Sequence, residues 1–452
     1  MYLKKSKFFI VGISRSGYWA TKLLLSKGAN CFIYDEKING ACKKFIDELV
    51  VKGATLVNYE NLQDVISLVD VVVLSPGVAI DNEIPILARR LKKNIIGELE
   101  LASYFYSQPM IAITGTNGKT TTSCMLDFIL KKAGINTFLG GNVGVPLSEA
   151  CLTEQSELAV VEVSSFQLES IARFCPHIAC VLNISPDHLT RHYNMENYVY
   201  LKSRILKNLR ESEYAVLNAD DERIKEFAMN TRAKPVYFSM CKQIDGAYLQ
   251  DNAVYWQGER IINVDEIAIK GGHNVQNVLA VVCICKLLGI EKQIIVEGIK
   301  QFNGVKHRMQ KICESNGITY VNDSKSTNPE STVAAINTVE SAFVLLLGGQ
   351  QKGSGYERLF EQLSECKKLK EIVFYGQSRD KLYKMAVDKG LTNLNMATSF
   401  EKAVNFAFSL LSTSETLLLS PACASFDEFC GFEERGERFI ELVTAKVGKR
   451  SE

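Results

Sequence analysis

A glycine-rich turn followed by a lysine and a row of threonines is the part of this sequence with the clearest chemistry. In ITGTNGKTTT, which begins at Ile113, the glycines are Gly115 and Gly118, and Lys119 and Thr120 follow them. Glycines let backbone N–H groups face an anion, a helix start adds its dipole, and lysine adds a cation. The common spacing G-x-x-x-x-G-K-[ST] requires a glycine where Ile113 stands. The pattern therefore predicts a variant phosphate loop and disfavours a general kinase or GTPase.

A phosphoryl-transfer site also needs an acidic residue for its metal ion, and Glu162 is the first candidate. It lies in VVEVSSFQLE within an apolar strand-like run, where a carboxylate is costly unless it is paired or binds a cation. The alternative is a glutamate on the exposed face of a strand. A second polar cluster, with Asp187 and His188, follows the strand-like VLNIS. Lys202, on a helix-like segment, has by itself only the pattern of a solvated lysine.

The last third of the chain carries three more polar clusters, each after an apolar strand-like run. These clusters are VNDSKSTNPES with Asp323, Lys325 and Thr327, LLGGQQKGSG with Lys352, and LLLSPACASFDEF with Ser425. Each alone is also compatible with an ordinary polar loop. In open parallel sheets, however, ligands bind beyond the carboxyl ends of the strands. Together the clusters predict a cleft in which cations of two domains position and neutralise a transferring phosphoryl group.

The N-terminal segment FFIVGISRSG has the strand and glycine turn of a Rossmann-like domain. Asp35 ends the second strand-like segment, 23 residues after Gly12. Ser14 stands where the G-x-G-x-x-G pattern has its second glycine, which lets the backbone approach a dinucleotide pyrophosphate. A nicotinamide-dependent enzyme is therefore disfavoured.

Short apolar strand-like runs alternate with helix-like segments along the whole chain, as in KFFIVGI, GYWATKLLLSKGA and NCFIYDE. Such alternation predicts an α/β fold with mostly parallel, doubly wound sheets. At 452 residues the chain is too long for one core, so we predict three domains. They are a Rossmann-like domain at residues 1–97, a central P-loop domain at 98–303 and a C-terminal Rossmann-like domain at 304–452.

The bulk composition excludes several classes of protein. Lys and Arg number 52 against 51 Asp and Glu, a net charge of +1, so no strong field attracts nucleic acid or an anionic membrane. Apolar runs such as Val71–Leu74 have the length of a strand and are too short to cross a bilayer. The 13 scattered cysteines include no C-x-x-C pair and are typical of thiols in a reducing compartment. We expect a cytoplasmic enzyme without nucleic-acid or membrane partners.

Several motifs occur in a fixed order along the chain: ITGTNGKTTT, EVSSFQLE, DHLTR, HNVQN, HR and NDSKSTN. In this order they resemble the Mur ligase family, and the resemblance covers nearly the whole chain. It implies an ATP-dependent ligase of peptidoglycan precursor synthesis. In that chemistry ATP phosphorylates a substrate carboxylate, an amine attacks the acyl phosphate, and a tetrahedral intermediate releases phosphate to leave an amide.

The resemblance also implies the two substrates. The segment SPACASFDEFCGFEERGERF is similar to that of the members that add D-glutamate to UDP-N-acetylmuramoyl-L-alanine. A D-N-P-[RA] motif, expected of the members that add diaminopimelate or lysine, does not occur in the sequence. A monomer is expected.

Roles for individual residues follow from the same resemblance. The implied ATP-binding residues are Gly115, Thr116, Asn117, Gly118, Lys119, Thr120, Thr121, Asn277, Arg308 and Asp323. The implied catalytic residues are Lys119, His188, Lys202 and Lys325. Two Mg²⁺ sites are implied, with the ligands Thr120, Glu162, His188 and Lys202, and Lys202 is similar to a lysine that becomes carbamylated. The UDP substrate is assigned to Arg15, Ser16, Asp35, Gly77 and Asn142, and D-glutamate to Thr327, Lys352, Ser425 and Phe432.

Three alternatives stay open from the sequence. Another Mur ligase would differ chiefly in the C-terminal pocket, whereas folylpolyglutamate synthase shares the phosphate-loop variant but should lack a separate N-terminal domain. A P-loop switch without ligase chemistry leaves the third domain unexplained. The chain departs from the family pattern at Gln350 and Gln351, where an acidic residue is expected after the paired glycines. That departure puts one polar contact in the cleft in doubt.

Overall fold

The computed structural model describes residues 6–38, 40–153, 156–229, 231–351 and 355–448. The chain divides into two compact units, Met1–Phe302 and Asn303–Glu452. The first unit contains two sheets and the second contains one. Within the described ranges no helix combines the length and the apolar character needed to cross a membrane. The predicted α/β class with mostly parallel sheets is confirmed.

The N-terminal part of the first unit is a five-stranded parallel sheet. Its strands are β1 (Lys7–Val11), β2 (Asn30–Tyr34), β3 (Thr55–Leu56), β4 (Val71–Leu74) and β5 (Asn94–Gly97), in the order β3-β2-β1-β4-β5. The helices are α1 (Arg15–Ser26), α2 (Gly40–Val51), α3 (Leu62–Leu68), α4 (Glu83–Arg90) and α5 (Glu98–Ser103). Because side chains alternate along a strand, Phe8 and Phe9 of β1 pack into separate cores on the two faces.

The second sheet of this unit has nine strands. They are β6 (Met110–Thr114), β7 (Thr137–Gly141), β8 (Leu158–Glu162), β9 (Ile178–Val181), β10 (Tyr214–Asn218), β11 (Lys234–Ser239), β12 (Gly246–Gln250), β13 (Ala253–Trp256) and β14 (Glu259–Asn263). The order is β14-β13-β12-β11-β10-β9-β6-β8-β7. Among the described strand pairs of this sheet, only β12–β13 and β13–β14 are antiparallel. The sequence interpretation did not anticipate this meander.

Eight helices follow in the described part of the same unit. They are α6 (Lys119–Lys132), α7 (Leu147–Thr153), α8 (Ser165–Leu168), α9 (Leu189–His192), α10 (Met195–Ser203), α11 (Glu222–Met229), α12 (Gly272–Leu287) and α13 (Lys292–Gln301). Helix α12 packs against α6 and the sheet, and ten of its sixteen residues are buried. This explains its nearly uniform apolar sequence, because a helix buried on most sides needs no polar face.

The second unit is built on a six-stranded sheet. Its strands are β15 (Gln310–Ser315), β16 (Ile318–Asn322), β17 (Ala342–Gly348), β18 (Leu369–Tyr375), β19 (Leu394–Met396) and β20 (Glu415–Leu419). The order is β15-β16-β20-β17-β18-β19, parallel except for the pair β15–β16. The helices are α14 (Pro329–Thr338), α15 (Tyr356–Glu365), α16 (Arg379–Asp388), α17 (Phe400–Leu410) and α18 (Phe432–Gly448).

The strand orders decide which loops become neighbours. In the nine-stranded sheet, β9, β6, β8 and β7 are adjacent, so their carboxyl ends form one edge. In the second unit β16, β20 and β17 are adjacent, although nearly 100 residues separate β16 from β20 along the chain. Parallel sheets bind ligands at such edges. Most of the predicted site residues lie on these two edges.

Candidate active site

The phosphate loop is the tight connection between β6 and α6. All five residues of β6 are buried, and the loop that follows has Gly115 at φ +156° and Gly118 at φ +83°. Gly118 is the N-cap of α6, and a Cβ atom there would lie 2.3 Å from Oδ1 of Asn277. Gly118 is therefore required both by its left-handed backbone and by the close packing of Asn277. The predicted turn at Gly115 and helix start at Lys119 are present.

Gly118→Ala tests whether this close packing supports nucleotide binding. We expect a loss of ATP affinity of about tenfold or more, because the new methyl group displaces Asn277 or the loop. Gly134→Ala is the matched control, since Gly134 also has a left-handed φ of +82° and follows the other end of α6. A Cβ atom at Gly134 would have no described atom outside its neighbouring residues within 4 Å. Calorimetric titration with a non-hydrolysable ATP analogue measures both. Equal affinities of the two variants would contradict the argument.

The segment after β9 holds the loop in place. The N–H of Thr116 donates to the carbonyl of Asn183 at 2.9 Å, and the N–H of Asn117 donates to Oδ1 of Asn183 at 2.8 Å. The Thr116 hydroxyl lies 3.0 Å from that of Tyr198 on α10. These bonds use two backbone donors of the loop. The donors placed for an anion are therefore those in the first turn of α6, which have no intrahelical acceptor.

Lys119 folds back over the loop. Its Nζ donates to the carbonyl oxygens of Gly115 and Thr116, both at 2.8 Å. The side chain is half-buried, and the next residues in the first turn of α6 are the buried Thr120 and the half-buried Thr121. A lysine held at the mouth of the loop by backbone carbonyls is positioned to transfer its hydrogen bonds to phosphate oxygens.

Glu162 is the last residue of β8 and is buried, with 3% of its surface exposed. It pairs in register with Ile113, two residues before Gly115. Its Oε1 accepts a hydrogen bond from Nδ2 of Asn142 at 2.8 Å, and its Oε2 has no partner among the described residues. The alternative of an exposed strand face is wrong.

An unpartnered buried carboxylate oxygen is costly unless a cation neutralises it, so this site fits a metal ion. The described residues contain no cluster of three or more His, Cys, Asp or Glu side chains able to hold a metal by themselves. Such a site suits Mg²⁺, which takes one or two protein oxygens and completes its shell with water and phosphate oxygens. Glu162 and the Thr120 hydroxyl are the protein groups that would hold it.

Lys202 is almost fully buried, and the interpretation as a solvated lysine is wrong. Its Nζ donates to the Gly115 carbonyl at 2.8 Å and lies 4.8 Å from the ring centre of Tyr198. Burial, followed by the positive charge of Lys119, holds the pKa of Lys202 well below its usual value, against the opposing charges of Asp187 and Glu162. The amine is thereby shifted toward its neutral, nucleophilic form. Sequence periodicity carries no sign of this, because the burial is tertiary.

His188 is in a different environment from Lys202. It has a left-handed backbone with φ +53°, and its side chain is half-exposed. Its ring lies 4.8 Å from that of Phe166, and its Nε2 lies 3.4 Å from Oδ2 of Asp187. Its role as a metal ligand stays a prediction.

The sequence interpretation missed His192, four residues further on. This histidine is fully buried: its Nε2 lies 2.9 Å from the Ser165 hydroxyl, and its Nδ1 lies 3.4 Å from Oε1 of Glu169. Burial lowers the pKa of His192 to about 4, so its ring is neutral near pH 7. The second histidine of DHLTRH was the available signal. We interpret His192 as part of the support for the segment that carries His188.

The predicted UDP-substrate residues of the first sheet lie at the carboxyl ends of β1, β2 and β4. Asp35 accepts hydrogen bonds from the N–H groups of Ile13 and Lys37. The exposed Arg15 and the half-buried Ser16 begin α1, and the exposed Gly77 follows β4. Asn142, by contrast, follows β7 of the second sheet and is joined to Glu162. The structure therefore brings the predicted sugar-contacting residue next to the predicted metal ligand.

In the second unit, Asp323 stabilises the loop after β16. The buried carboxylate accepts hydrogen bonds from the hydroxyls of Ser326 and Ser420 and from the N–H of Met309. Burial raises the pKa of Asp323 to about 6 despite these bonds. The side chain is thus engaged within the unit. All three bonds come from residues of the second unit, and the contact of Asp323 with the nucleotide stays a prediction.

The remaining predicted residues of this unit gather around the same loop. Lys325 and Thr327 are half-buried, and Nζ of Lys325 lies 5.8 Å from the ring centre of Phe432. Ser425 is buried after β20, and the predicted nucleotide contact Arg308 is exposed. Lys352 lies outside the described residues. The backbone of Gln350, where an acid was expected, pairs with Ala424 through two hydrogen bonds, and the N–H of Gln351 donates to the Ser378 hydroxyl.

Comparison with known proteins gives the family. The Mur ligase middle domain matches residues 113–285, and the Mur ligase glutamate ligase domain matches residues 307–423. The chain is 38% identical over 447 residues to the UDP-N-acetylmuramoylalanine–D-glutamate ligase of Caldanaerobacter subterraneus subsp. tengcongensis, covering 98% of this chain and 99% of that protein. The ligase of the same name from Clostridioides difficile is 36% identical over 455 residues, with coverage of 98% and 99%.

A solved structure supports the fold. UDP-N-acetylmuramate-alanine ligase MurC from Thermotoga maritima superimposes with a TM-score of 0.61 at 18% identity, over 98% of this chain and 99% of that chain. The similarity in sequence to the two curated ligases extends over almost the full length of the chain. The chain therefore belongs to the Mur ligase family.

Proposed function

We propose that this protein is the ligase that uses ATP to add D-glutamate to UDP-N-acetylmuramoyl-L-alanine. The observation that carries the proposal is the 38% identity, over 98% of the chain, to a ligase named for that product. The phosphate loop and the buried Glu162 supply what an ATP-dependent ligase needs. The separate N-terminal sheet argues against a folylpolyglutamate synthase, which should lack it.

In the proposed reaction the terminal phosphoryl group of ATP passes to the alanine carboxylate. Lys119 and the first turn of α6 would bind the phosphates. Thr120 and Glu162 would hold Mg²⁺, which would supply positive charge to the phosphate oxygens. The amine of D-glutamate then attacks the acyl phosphate. Lys325 would stabilise the departing phosphate, and Thr327, Lys352, Ser425 and Phe432 would bind the amino acid. The UDP substrate is assigned to Arg15, Ser16, Asp35, Gly77 and Asn142, and the nucleotide also to Asn277, Arg308 and Asp323.

An amino-acid panel in a phosphate-release assay tests the proposal. We expect phosphate release only when UDP-N-acetylmuramoyl-L-alanine, D-glutamate, ATP and Mg²⁺ are all present. L-Alanine, L-lysine, diaminopimelate and L-glutamate serve as competing acceptors in parallel reactions. Equal rates with L-glutamate or with a dibasic amino acid would overturn the assignment. Nucleotide binding without amide formation would instead indicate a P-loop switch.

We further propose that Lys202 is carbamylated and contributes to a second Mg²⁺ site with His188. The lowered pKa of Lys202 leaves a neutral amine that adds to the carbon of CO₂ and loses a proton, so that a cation becomes an anion. An anion there would also remove the repulsion between Lys202 and Lys119. The hydrogen bond from Nζ of Lys202 to the Gly115 carbonyl, which puts the amine beside the phosphate loop, supports this proposal.

Lys202→Ala tests the carbamate. We expect a loss of turnover of about 10²-fold or more, because a charge at the phosphate loop is removed. Added acetate or propionate should restore part of the rate by occupying the space of the carbamate. The exposed Lys207, five residues further on, provides the control Lys207→Ala, which should keep its rate. A rate of Lys202→Ala that no short carboxylic acid restores would contradict carbamylation.

The cellular setting is also a proposal. We infer a cytoplasmic monomer, since ATP and a UDP-linked precursor are its substrates and one chain supplies residues of every predicted class. Sedimentation velocity at micromolar concentration measures the molecular mass in solution, and we expect the mass of one chain.

A further inference from the structure

Arg435 is a completely buried arginine near the start of α18. Its Nε donates to the Ser324 hydroxyl at 3.0 Å, and its Nη2 donates to the Ser324 carbonyl at 2.9 Å. Its Nη1 donates to the Cys423 carbonyl at 3.1 Å. Neutral oxygens from two separate loops therefore hold the guanidinium.

No acidic side chain in the described ranges forms an ion pair with Arg435, although fully buried arginines in proteins are usually paired with an acid. Burying a cation without a counter-charge is expensive, and a leucine or methionine would fill the same space at lower cost. The guanidinium offers what an apolar side chain lacks, a rigid planar fork of donors. Such a fork can join several backbone and side-chain oxygens at once.

The loops joined by Arg435 carry predicted site residues. Ser324 lies directly before Lys325, and Cys423 lies two residues before Ser425. The Ser324 hydroxyl, which accepts from Arg435, also donates to the carbonyl of Phe432 at 2.8 Å. One side chain thus connects the ends of β16 and β20 with the first residue of α18.

A third loop packs against the same group. Gly349 follows β17, and a Cβ atom there would lie 3.2 Å from Nη1 of Arg435 and 2.3 Å from the carbonyl of Ala424. The backbone of the next residue, Gln350, pairs with Ala424. The ends of the three adjacent strands β16, β20 and β17 therefore meet at one guanidinium.

We propose that Arg435 is a positioning residue for the amino-acid site, fixing the loops that carry Lys325, Ser425 and Phe432. The proposal rests on the proposed function, because it takes Ser425 and Phe432 as D-glutamate contacts and Lys325 as the cation near the departing phosphate. Arg435 itself is fully buried and acts through the loops.

Steady-state kinetics on the full chain test the proposal. In Arg435→Met we expect the KM for D-glutamate to rise about tenfold or more, because a charged donor to three acceptors is lost. The KM for UDP-N-acetylmuramoyl-L-alanine, whose predicted contacts lie in the first unit, should stay within about twofold. Arg435→Lys keeps the charge but not the fork and should fall between wild type and Arg435→Met. Ser324→Ala removes one acceptor and should raise the same KM by a smaller factor.

Val443→Ala is the matched control for stability. Val443 lies two turns after Arg435 on α18, is fully buried and belongs to an apolar core. This variant should lower the melting temperature and leave the KM for D-glutamate unchanged. An unchanged KM for D-glutamate in the Arg435 and Ser324 variants, or an equal rise in both KM values, would overturn the proposal. If Arg435→Met does not fold, Arg435→Lys and Ser324→Ala decide.

The wild-type protein separates this proposal from the proposed function. If the wild type forms no amide with D-glutamate, the proposed function fails before any variant is compared. If the wild type is active and the variants lack the selective effect, only the role of Arg435 fails.

Discussion

Lys119→Ala is expected to lower ATP-dependent turnover about 10³-fold, the effect of removing a preorganised charge from a developing anion. Nζ of Lys119 donates hydrogen bonds to the carbonyl oxygens of Gly115 and Thr116. From this position it can donate to the phosphate oxygens of ATP instead. Binding of the UDP substrate should be largely retained, since its predicted contacts are elsewhere in the unit. Phosphate release measures turnover, and calorimetric titration measures binding of the UDP substrate.

Lys131→Ala, in the last turn of the same helix, is the control for Lys119→Ala. Lys131 is exposed and forms an ion pair with Asp127 at 3.0 Å, so its loss should change turnover little. Loss of both turnover and substrate binding in Lys119→Ala would indicate misfolding and would contradict the assigned role.

The phosphate loop was predictable because its signals are local. The glycines at 115 and 118, the strand before them and the helix after them all lie within one stretch of sequence. The absence of a glycine at Ile113 has a simple structural basis, since Ile113 is a buried residue of β6 and Gly115 makes the turn. The alternation of strands and helices was predictable for the same reason.

Features that depend on tertiary packing could not be predicted from the sequence. Lys202 lies on a helix whose pattern indicates a solvated residue, and only the packing of α10 against the loop buries it. The bond between Asn142 and Glu162 depends on the adjacency of β7 and β8. Arg435 has no sequence motif of its own. Its bonds to the loops after β16 and β20 depend on these two strands being neighbours in the sheet.

Three other predictions are not tested by the contacts of the described residues. The domain boundaries at 97/98 and 303/304, the role of Lys352 and the cleft with cations of two domains stay predictions. Strand β5 does end at Gly97 and α5 begins at Glu98, yet the two sheets of the first unit form one compact body. Each of the two sheets nevertheless packs against buried apolar clusters of its own.

Glu162 has the strongest argument for direct contact with a cation, because three observations agree. It is buried at the end of a strand, it is in register with the residue that enters the phosphate loop, and one carboxylate oxygen has a donor while the other has none among the described residues. By contrast, both oxygens of the buried Asp323 accept hydrogen bonds, Oδ1 from Met309 and Oδ2 from Ser326 and Ser420.

Glu162→Gln is therefore expected to reduce turnover about 10²- to 10³-fold and to raise the Mg²⁺ concentration needed for half-maximal rate. Glutamine keeps the shape and the hydrogen bond with Asn142 but removes the charge that binds the cation. Glu157→Gln, an exposed acid just before β8, is the control and should retain both values. Mg²⁺ titrations of the phosphate-release rate distinguish the variants. An unchanged Mg²⁺ requirement in Glu162→Gln would contradict the metal site, because the unpartnered oxygen would then serve no cation.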